Sequence, residues 1–411
     1  MKIISEIIII TLLLFFFPAI AGIIFLVAAF FSSGKKPYIY LLLFCALTSL
    51  LFLDIIPGYG LDFDRYMQIT SSLKFIKVSS LHDLYEFYKV NAMNETNNYL
   101  FMLIQYFCSK FKVGNLLSVI SVFLSSFFCM FPFLDIVQKE DKHRFLALCL
   151  GFICLNILGY GYMASVMRWS LAVTSCLFVN YLFFIRLEEK KKWAFLLLIP
   201  LLFHLGIILA VVMSFFVLVA KRVRLSELII YIICVLAFLF TSINGSNSTD
   251  LTGQLLNTTK IYSKNFLASG QTRNAVILNI VIYTAYIILI LINIVIHRLS
   301  PDVINPFTNL SILAIISTLL LSTRYLILIR FISLATFFIA VDILLTVANG
   351  NHFINFSEGK GLLVSLLFAF DIFISFIFGY ASFCQFTFPV GSLRIWFVSI
   401  FYLINHAILI G

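Results

Sequence analysis

The feature that most constrains this chain is a succession of long apolar stretches, separated by segments that carry most of the charge. A helix needs about 20 predominantly apolar residues to cross the hydrocarbon core of a bilayer. Stretches near that length predict membrane spans around residues 7–31, 38–56, 115–137, 145–162, 165–185, 227–243, 276–296, 308–322, 326–347, 362–382 and 395–410. We therefore expect an all-α, polytopic transmembrane helical bundle of about 11–13 membrane segments, forming a single transmembrane domain over residues 1–411.

Composition excludes the main alternatives to a membrane protein. Hydrophobic residues make up 62% of the 411 residues and charged residues only 11%, whereas an ordinary soluble domain carries about a quarter charged residues. The net charge of +10 is spread over many loops, without the basic and aromatic interleaving of a nucleic-acid surface, so we expect no nucleic-acid partner. The eight cysteines show no C-x-x-C or Cys/His spacing, and we expect neither a metal nor a cofactor.

Short basic loops predict the orientation of the bundle, because such loops favour the cytoplasmic side. The first span, residues 7–31, is too long for a signal-peptide core and is expected to be retained. The basic clusters are Lys35-Lys36, Lys139 with Lys142 and Arg144, Arg186 with Lys190 to Lys192, Lys221-Arg222 with Arg224, and His297-Arg298. Placing all of them in the cytoplasm puts the N-terminus outside and the C-terminus inside.

One apolar segment does not fit this alternation. Residues 193–219 lie between two basic clusters that are both expected in the cytoplasm. Pro200, His204 and Gly206 stand near its middle, where proline removes a backbone donor and glycine permits a turn. We therefore expect a broken hairpin of two half-spans, whose tip is buried in protein or lines a cavity.

Two longer polar segments are expected on the outer side. In residues 57–114, the stretches 81–90 and 97–111 are amphipathic and predict helices lying along the membrane surface. Residues 244–275 form the second outer loop, which is rich in Ser, Thr, Asn and Gly. Both are too small for separate domains and could form a lid or a groove wall.

Ionisable residues gather at the predicted outer ends of the spans, where charge in the membrane is costly and usually functional. They are Asp62, Asp64, Arg65, Arg168, His204, Arg324 and Arg330. Guanidinium groups match phosphate oxygens in a bidentate manner, and carboxylates can deprotonate or hold a sugar hydroxyl. Such a set suits a phosphate-linked lipid that carries a polyhydroxylated head.

Structural interpretations compete for several of these residues. Arg324 could extend to lipid headgroups from a span end, and His204 could be an ordinary core histidine. Asp62 and Asp64 could cap a surface helix that begins near Arg65. Two further carboxylates, Asp342 and Asp371, lie inside predicted spans and could each pair with an arginine.

Several motifs, in order, resemble those of the EpsG/Wzy-type polysaccharide polymerases. Residues 60–66 read GLDFDRY and resemble the G-[ST]-D-Y-x-x-Y motif after the second span of that family. Residues 94–111 resemble its E-P-x-Y-x-L-L segment, and residues 166–206 its block of an R-Q-x-[IL]-A helix, a basic turn and a helix ending in [AL]-x-x-[FL]-H. The region from Arg324 to Arg330 resembles its late arginine-bearing span. Trp169 stands where the family has glutamine.

This resemblance implies a GT-C-like membrane glycosyltransferase of the multi-pass bacterial inner membrane. Such polymerases join undecaprenyl-diphosphate-linked oligosaccharide repeat units into O-antigen, capsule or exopolysaccharide at the periplasmic face. Their partners are the lipid-linked substrate, membrane lipid and a chain-length regulator protein. We predict that Arg65, Arg168, Arg324 and Arg330 bind the diphosphate, and that the acceptor base is one of the three remaining residues of the set, Asp62, Asp64 or His204.

Two other functions fit the same features in part. A lipid-linked oligosaccharide flippase would share the apolar composition and the cations, and predicts pseudo-symmetric halves. A membrane acyltransferase that modifies surface sugars would need a histidine paired with an acid, and no acid follows His204 at helical spacing. The polymerase therefore remains the first prediction.

Overall fold

A computed structural model describes residues 17–55, 61–91, 98–111, 113, 115–220, 224–244, 273–321, 325–350, 360–384, 399 and 403. Every regular element within these ranges is a helix. In the first half of the chain they are α1 (Pro18–Phe31), α2 (Lys36–Leu50), α3 (Leu61–Leu73), α4 (Leu81–Asn91), α5 (Tyr99–Ser109), α6 (Leu116–Glu140), α7 (Arg144–Leu158), α8 (Tyr160–Ser165) and α9 (Met167–Tyr181). In the second half they are α10 (Ile199–Phe203), α11 (Ile208–Ala220), α12 (Leu225–Asn244), α13 (Arg273–Leu299), α14 (Pro306–Leu320), α15 (Tyr325–Asn349) and α16 (Lys360–Cys384).

Six of the described helices are long and apolar enough to cross a membrane. They are Lys36–Leu53, Leu116–Glu140, Met167–Arg186, Ile280–Leu299, Leu328–Asn349 and Gly361–Ala381. This confirms the all-helical, multi-pass membrane architecture, and further apolar helices of 10–17 residues pack beside the six. The total of 11–13 segments stays a prediction, because residues 7–16, most of 395–410 and the loop 245–272 lie outside the described ranges.

Helix α15 forms the centre of the bundle. In the most apolar stretch of α15, 94% of the residues are buried, whereas in that of α16 only 33% are. Helix α15 contacts α7, α9, α13 and α14, and consecutive residues from Leu334 to Leu344 are inaccessible on every side. A helix that is apolar all round is expected at such a central position.

The expected pairing of the two intramembrane aspartates with arginine is wrong within the described residues. Asp342 accepts hydrogen bonds from His297 Nε2 at 3.0 Å and from the Asn305 and Thr308 side chains at 2.9 and 2.7 Å. Those donors come from α13 and from the start of α14, so the carboxylate ties both to α15. Among the described residues, Asp371 accepts a hydrogen bond from Ser375, one turn along α16, at 3.4 Å.

The predicted span 145–162 is divided in two by Gly159. Helix α7 ends at Leu158, and Gly159 adopts a φ of +75°, which residues with a Cβ rarely adopt. The chain then turns into the short helix α8 before α9 begins at Met167. The chain bends at Gly159 and again at Val166, between α8 and α9. Together these bends place the start of α9, and with it Arg168, inside the bundle.

The segment 193–219 is broken at the predicted place. A 3₁₀ helix over Lys191–Leu198 leads into α10, and the chain then becomes extended at His204, with φ −157° and ψ 119°. A Cβ on Gly206 would lie 2.9 Å from the His204 ring, so glycine allows the ring to fold back over the chain. The helices on the two sides, α10 and α11, contact each other, as the arms of a broken hairpin do.

The predicted amphipathic helices of residues 57–114 are confirmed as α4 and α5. With α3 they form a small apolar core of their own, comprising Ile69, Leu73, Leu84, Tyr88 and Met102. Gln105 of α5 links the three helices, since it accepts from Tyr88 Oη at 2.6 Å and donates to the Tyr66 carbonyl at 2.8 Å. Their position on the outer side stays a prediction.

Candidate functional site

Arg168 occupies the first turn of α9 and is the centre of the site. Its side chain is only 9% exposed. The Nε atom donates a hydrogen bond to Tyr66 Oη at 2.7 Å, and the guanidinium carbon lies 5.3 Å from the Tyr66 ring centroid. The start of a helix carries partial positive charge from its unpaired amides. The guanidinium and the helix therefore contribute positive potential at the same place.

Helix α3 adds a second guanidinium to the same aromatic ring. Tyr66 is buried, whereas Arg65 is partly exposed, with its guanidinium carbon 5.5 Å from the Tyr66 ring centroid. Arg65 Nη2 also pairs with Asp62 Oδ1 at 3.0 Å, one turn earlier. Asp62 and Asp64 lie in the first turn of α3, which begins at Leu61, so they follow the helix start and do not precede it as N-caps.

Asn98, immediately before α5, connects Arg168 to the broken hairpin. With its amide oxygen turned toward Arg168, it accepts a hydrogen bond from Nη1 at 2.9 Å. In that orientation its amide nitrogen donates to the Phe203 carbonyl at 3.2 Å, and both amide groups are satisfied. Asn98 is buried, so it fixes the guanidinium relative to the hairpin.

Trp169 contacts two further side chains of the site, His204 and Arg330. The His204 ring meets the indole edge-on with centroids 5.6 Å apart, and the Arg330 guanidinium carbon lies 5.4 Å from the indole centroid. Phe331 packs beside the same indole, with the ring centroids 6.1 Å apart. Two buried aromatic side chains, Tyr66 and Trp169, thus contact the arginines of α3, α9 and α15.

His204 is oriented by its own hairpin. Its Nδ1 accepts a hydrogen bond from the Gly206 backbone N–H at 2.8 Å. In a neutral ring with Nδ1 accepting, the proton resides on Nε2. This geometry makes His204 a hydrogen-bond donor through Nε2, whereas a general base would need a free lone pair.

The structure thus brings together most of the residues that the sequence predicts for the site. Arg65, Arg168, Arg330 and His204 join through Tyr66 and Trp169. Asp62 is connected through Arg65, and Asp64 lies in the same turn of α3. Arg324 lies outside the described residues. In the part of the chain that the structure describes, no three His, Cys, Asp or Glu side chains come together as metal ligands would.

Sequence reasoning missed the neutral side chains that organise the site. Tyr66 ends the GLDFDRY motif, and Trp169 follows Arg168, but neither was assigned a role. Asn98 stands directly before the apolar run of α5. An asparagine directly before an apolar helix indicates an N-cap, although its side chain makes no cap hydrogen bond here, so the sequence did not reveal its contact with Arg168.

The apolar spans define a multi-pass membrane protein that carries a cluster of arginines at one end of its helices. Comparison with known proteins finds no matching family model, and no matching curated protein or solved structure.

Proposed function

We propose that this protein is a glycosyltransferase that joins undecaprenyl-diphosphate-linked oligosaccharide repeat units into O-antigen or a related surface polysaccharide, at the periplasmic face of the bacterial inner membrane. The observation that carries the proposal is the gathering of Arg65, Arg168 and Arg330 around Tyr66 and Trp169. Cations gathered at one place in an apolar bundle are costly, and such positions usually mark a substrate or ion site, here one that suits an anion. A lipid diphosphate supplies such an anion at the required depth.

The arginines would act on the leaving group. In the proposed reaction, a hydroxyl of the acceptor sugar attacks the anomeric carbon of the donor, and the bond from that carbon to the diphosphate oxygen breaks. The lipid diphosphate leaves with the bonding electrons, and its growing negative charge is met by Arg168 and Arg330. The start of α9 adds to this potential. Guanidinium groups suit this role because they keep their charge.

The hydroxyl of the acceptor sugar must lose its proton as it attacks, and a carboxylate at the edge of the cluster would accept that proton. Asp62 and Asp64 supply the two candidates, because both lie in the turn of α3 that also carries Arg65. Arg65 holds Asp62 at 3.0 Å, so an approaching hydroxyl would meet an oriented carboxylate. His204, as an Nε2–H donor, would hold a sugar or phosphate oxygen and would not remove the proton.

A flippase remains the second candidate because of one buried acid. Asp371 is inaccessible within α16, and its Oδ2 atom has no hydrogen-bond partner among the described residues. Ionisable groups in such positions often mark proton-coupled transport. A transporter of lipid-linked oligosaccharide would also use the arginines to bind a diphosphate.

A complementation experiment in the native host separates these functions. Deleting a polymerase should leave single repeat units on the cell surface, whereas deleting a flippase should leave none. Arg168→Ala should fail to restore long chains in the deletion strain, with activity lowered about 10²–10³-fold, the usual effect of removing one group that stabilises transition-state charge. Arg298→Ala, in the last turn of α13, is the matched control and should restore the full range of chain lengths.

The protein must be counted in the membrane fraction for each variant, for example through an epitope tag. A full ladder of chain lengths from Arg168→Ala, at normal abundance, would refute the assignment of the arginines. Complete absence of surface repeat units in the deletion strain would favour the flippase.

A further inference from the structure

An apolar groove, separate from the arginine cluster, lies between α1, α2, α7 and α16. Its volume is about 590 Å³, within the range of sites that bind small molecules. The walls are almost entirely hydrocarbon, with Thr48 and Asn156 among the few polar side chains. Gly379 allows the floor to close, because a Cβ there would lie 2.1 Å from Asn156 Oδ1.

The groove runs along the helices toward the end that carries Arg168. Helix α2 finishes at that end: the Leu53 carbonyl just beyond it accepts a hydrogen bond from Asn115 at the start of α6. Ser118, also in the first turn of α6, donates to the Ala164 carbonyl of α8, close to Arg168. One wall of the groove is formed by residues from Phe44 to Phe52, in and just after α2, and another by residues from Leu148 to Asn156 on α7. At 1.5 Å per residue the α7 wall alone is roughly 12 Å long.

The side of the groove opens on the membrane-facing surface. Ile23, Val27 and Phe376 line it and are 49%, 44% and 53% exposed. They belong to α1 and α16, and α16 is the least buried of the six long spans. Beside such apolar spans the surrounding solvent is lipid hydrocarbon. The chemistry of the groove therefore fits a hydrocarbon chain that enters sideways from the bilayer.

The end of the groove nearest Arg168 leads to the arginine cluster. Tyr160 lines that end and stacks on Phe52, with ring centroids 6.2 Å apart. Tyr160 begins α8, and α8 leads directly into α9 and Arg168. A single short helix thus joins the groove to the site.

We infer that the groove holds the isoprenoid chain of the lipid whose diphosphate the arginines bind, which makes it the tail-binding part of the substrate site. This inference rests on the proposed function. A lipid in a bilayer keeps its phosphate at the headgroup level and its chain along the membrane normal, as the arginines and the groove are arranged here. The chain gains no hydrophobic free energy on leaving other lipid, so the head supplies affinity and the groove sets the direction of the chain.

Photocrosslinking in phosphatidylcholine nanodiscs tests the inference with the full-length protein. The probe is an isoprenyl diphosphate with a diazirine on its chain, and labelled peptides are identified by mass spectrometry. We expect labelling in α1, α7 and α16. Ile372→Trp fills the groove and should reduce labelling about tenfold or more, because a bound head otherwise raises the effective concentration of its chain there. Phe373→Trp is the matched control on the same helix, since Phe373 is exposed and does not line the groove.

Two further arms separate this inference from the proposed function. A neutral isoprenol carrying the same diazirine should label the groove about tenfold less than the diphosphate, and Arg168→Ala should lower both diphosphate retention and groove labelling. Equal labelling by the isoprenol would overturn the inference. Labelling elsewhere, with retention still dependent on Arg168, would overturn the groove and leave the proposed function standing. Groove labelling that Ile372→Trp blocks but Arg168→Ala leaves unchanged would support the groove and contradict the arginine site.

Discussion

The two ends of α9 use arginine in different ways. After the last turn of the helix, Arg186 forms a two-pronged ion pair with Asp135, which is inaccessible and also accepts hydrogen bonds from Tyr181 and from Tyr38. At the first turn, Arg168 lies against Tyr66 and Asn98, and Arg330 lies against Trp169. Arg186 thus contacts a buried carboxylate, whereas the contacts described for Arg168 and Arg330 are with aromatic rings and, for Arg168, an amide.

This difference separates a structural arginine from one suited to bind a ligand. The Asp135 cluster joins α2, α6 and α9, and a turn of π-helix over Leu182–Arg186 helps to bring Arg186 to the carboxylate. Charge there is cancelled within the protein. Aromatic faces hold a guanidinium in place without cancelling its charge, and Tyr66 and Trp169 provide such faces for Arg168 and Arg330. The same residue type thus has two roles, and matched substitutions should separate them.

The largest expected effect is on activity, at the arginine end. Arg168→Met should lower polymerisation about 10²–10³-fold, because it removes charge that is needed only as the diphosphate leaves. Its folding stability should fall by less than that of Arg186→Met, since the hydrogen bonds that it removes go to neutral groups, Tyr66 Oη and the Asn98 amide, and a buried group that loses its partner costs most when it is charged. Chain-length ladders and thermal unfolding in detergent measure the two effects. A strong loss of stability would show that Arg168 is structural and would break the comparison.

The same substitution at the other end should act on stability. Arg186→Met removes charge-assisted hydrogen bonds from Asp135, which is inaccessible, and should destabilise the protein by about 2–3 kcal/mol. Activity per folded molecule should be unchanged, because this cluster holds no substrate. Thermal unfolding is the primary measurement. A specific loss of polymer with unchanged unfolding would reverse the assignment of the two ends.

A smaller effect is expected at Asn98, whose role is to position Arg168. Asn98→Ala should reduce activity about tenfold, since it removes hydrogen bonds to the guanidinium and to the Phe203 carbonyl. Asn98→Asp sharpens the test, because a carboxylate 2.9 Å from Arg168 Nη1 would cancel its charge. The aspartate variant should therefore be the less active one. A merely structural role predicts the opposite order, as aspartate would strengthen the contact.

The smallest effect is expected from removing one hydroxyl group. Tyr66→Phe keeps the aromatic face under Arg65 and Arg168 and loses only the acceptor for Arg168 Nε. Activity should fall roughly fivefold, corresponding to about 1 kcal/mol for one hydrogen bond. Tyr66→Leu, which also removes the ring, should cost more. Equal activity of the phenylalanine and leucine variants would show that the ring does not hold the guanidinium groups.

The sequence was sufficient for the six long spans that the structure describes and for the break in residues 193–219, because both depend on local features. Apolar runs of sufficient length predict spans directly, and Pro200 with Gly206 marked the interruption that the structure places at His204. Gly159 was overlooked. One glycine near a span end rarely needs a left-handed conformation, so nothing local revealed that the span would divide there.

The neutral partners could not be predicted in the same way. Arg168 and Tyr66 are 102 residues apart in the chain, and their contact depends on how α3 and α9 are rotated against each other. Polarity and position in a span identify a charged residue as unusual, but they do not predict which aromatic side chain it will contact. For the same reason Asp342 met His297 and not the expected arginine.

Direct binding of a short, detergent-soluble isoprenyl diphosphate is the most immediate test of the arginine cluster. The full-length protein should bind it, and Arg168→Ala combined with Arg330→Ala should weaken binding about a hundredfold or more, since charge-assisted contacts to phosphate are lost at both positions. Arg298→Ala should bind like the unsubstituted protein. An affinity that survives the double substitution unchanged would contradict the account.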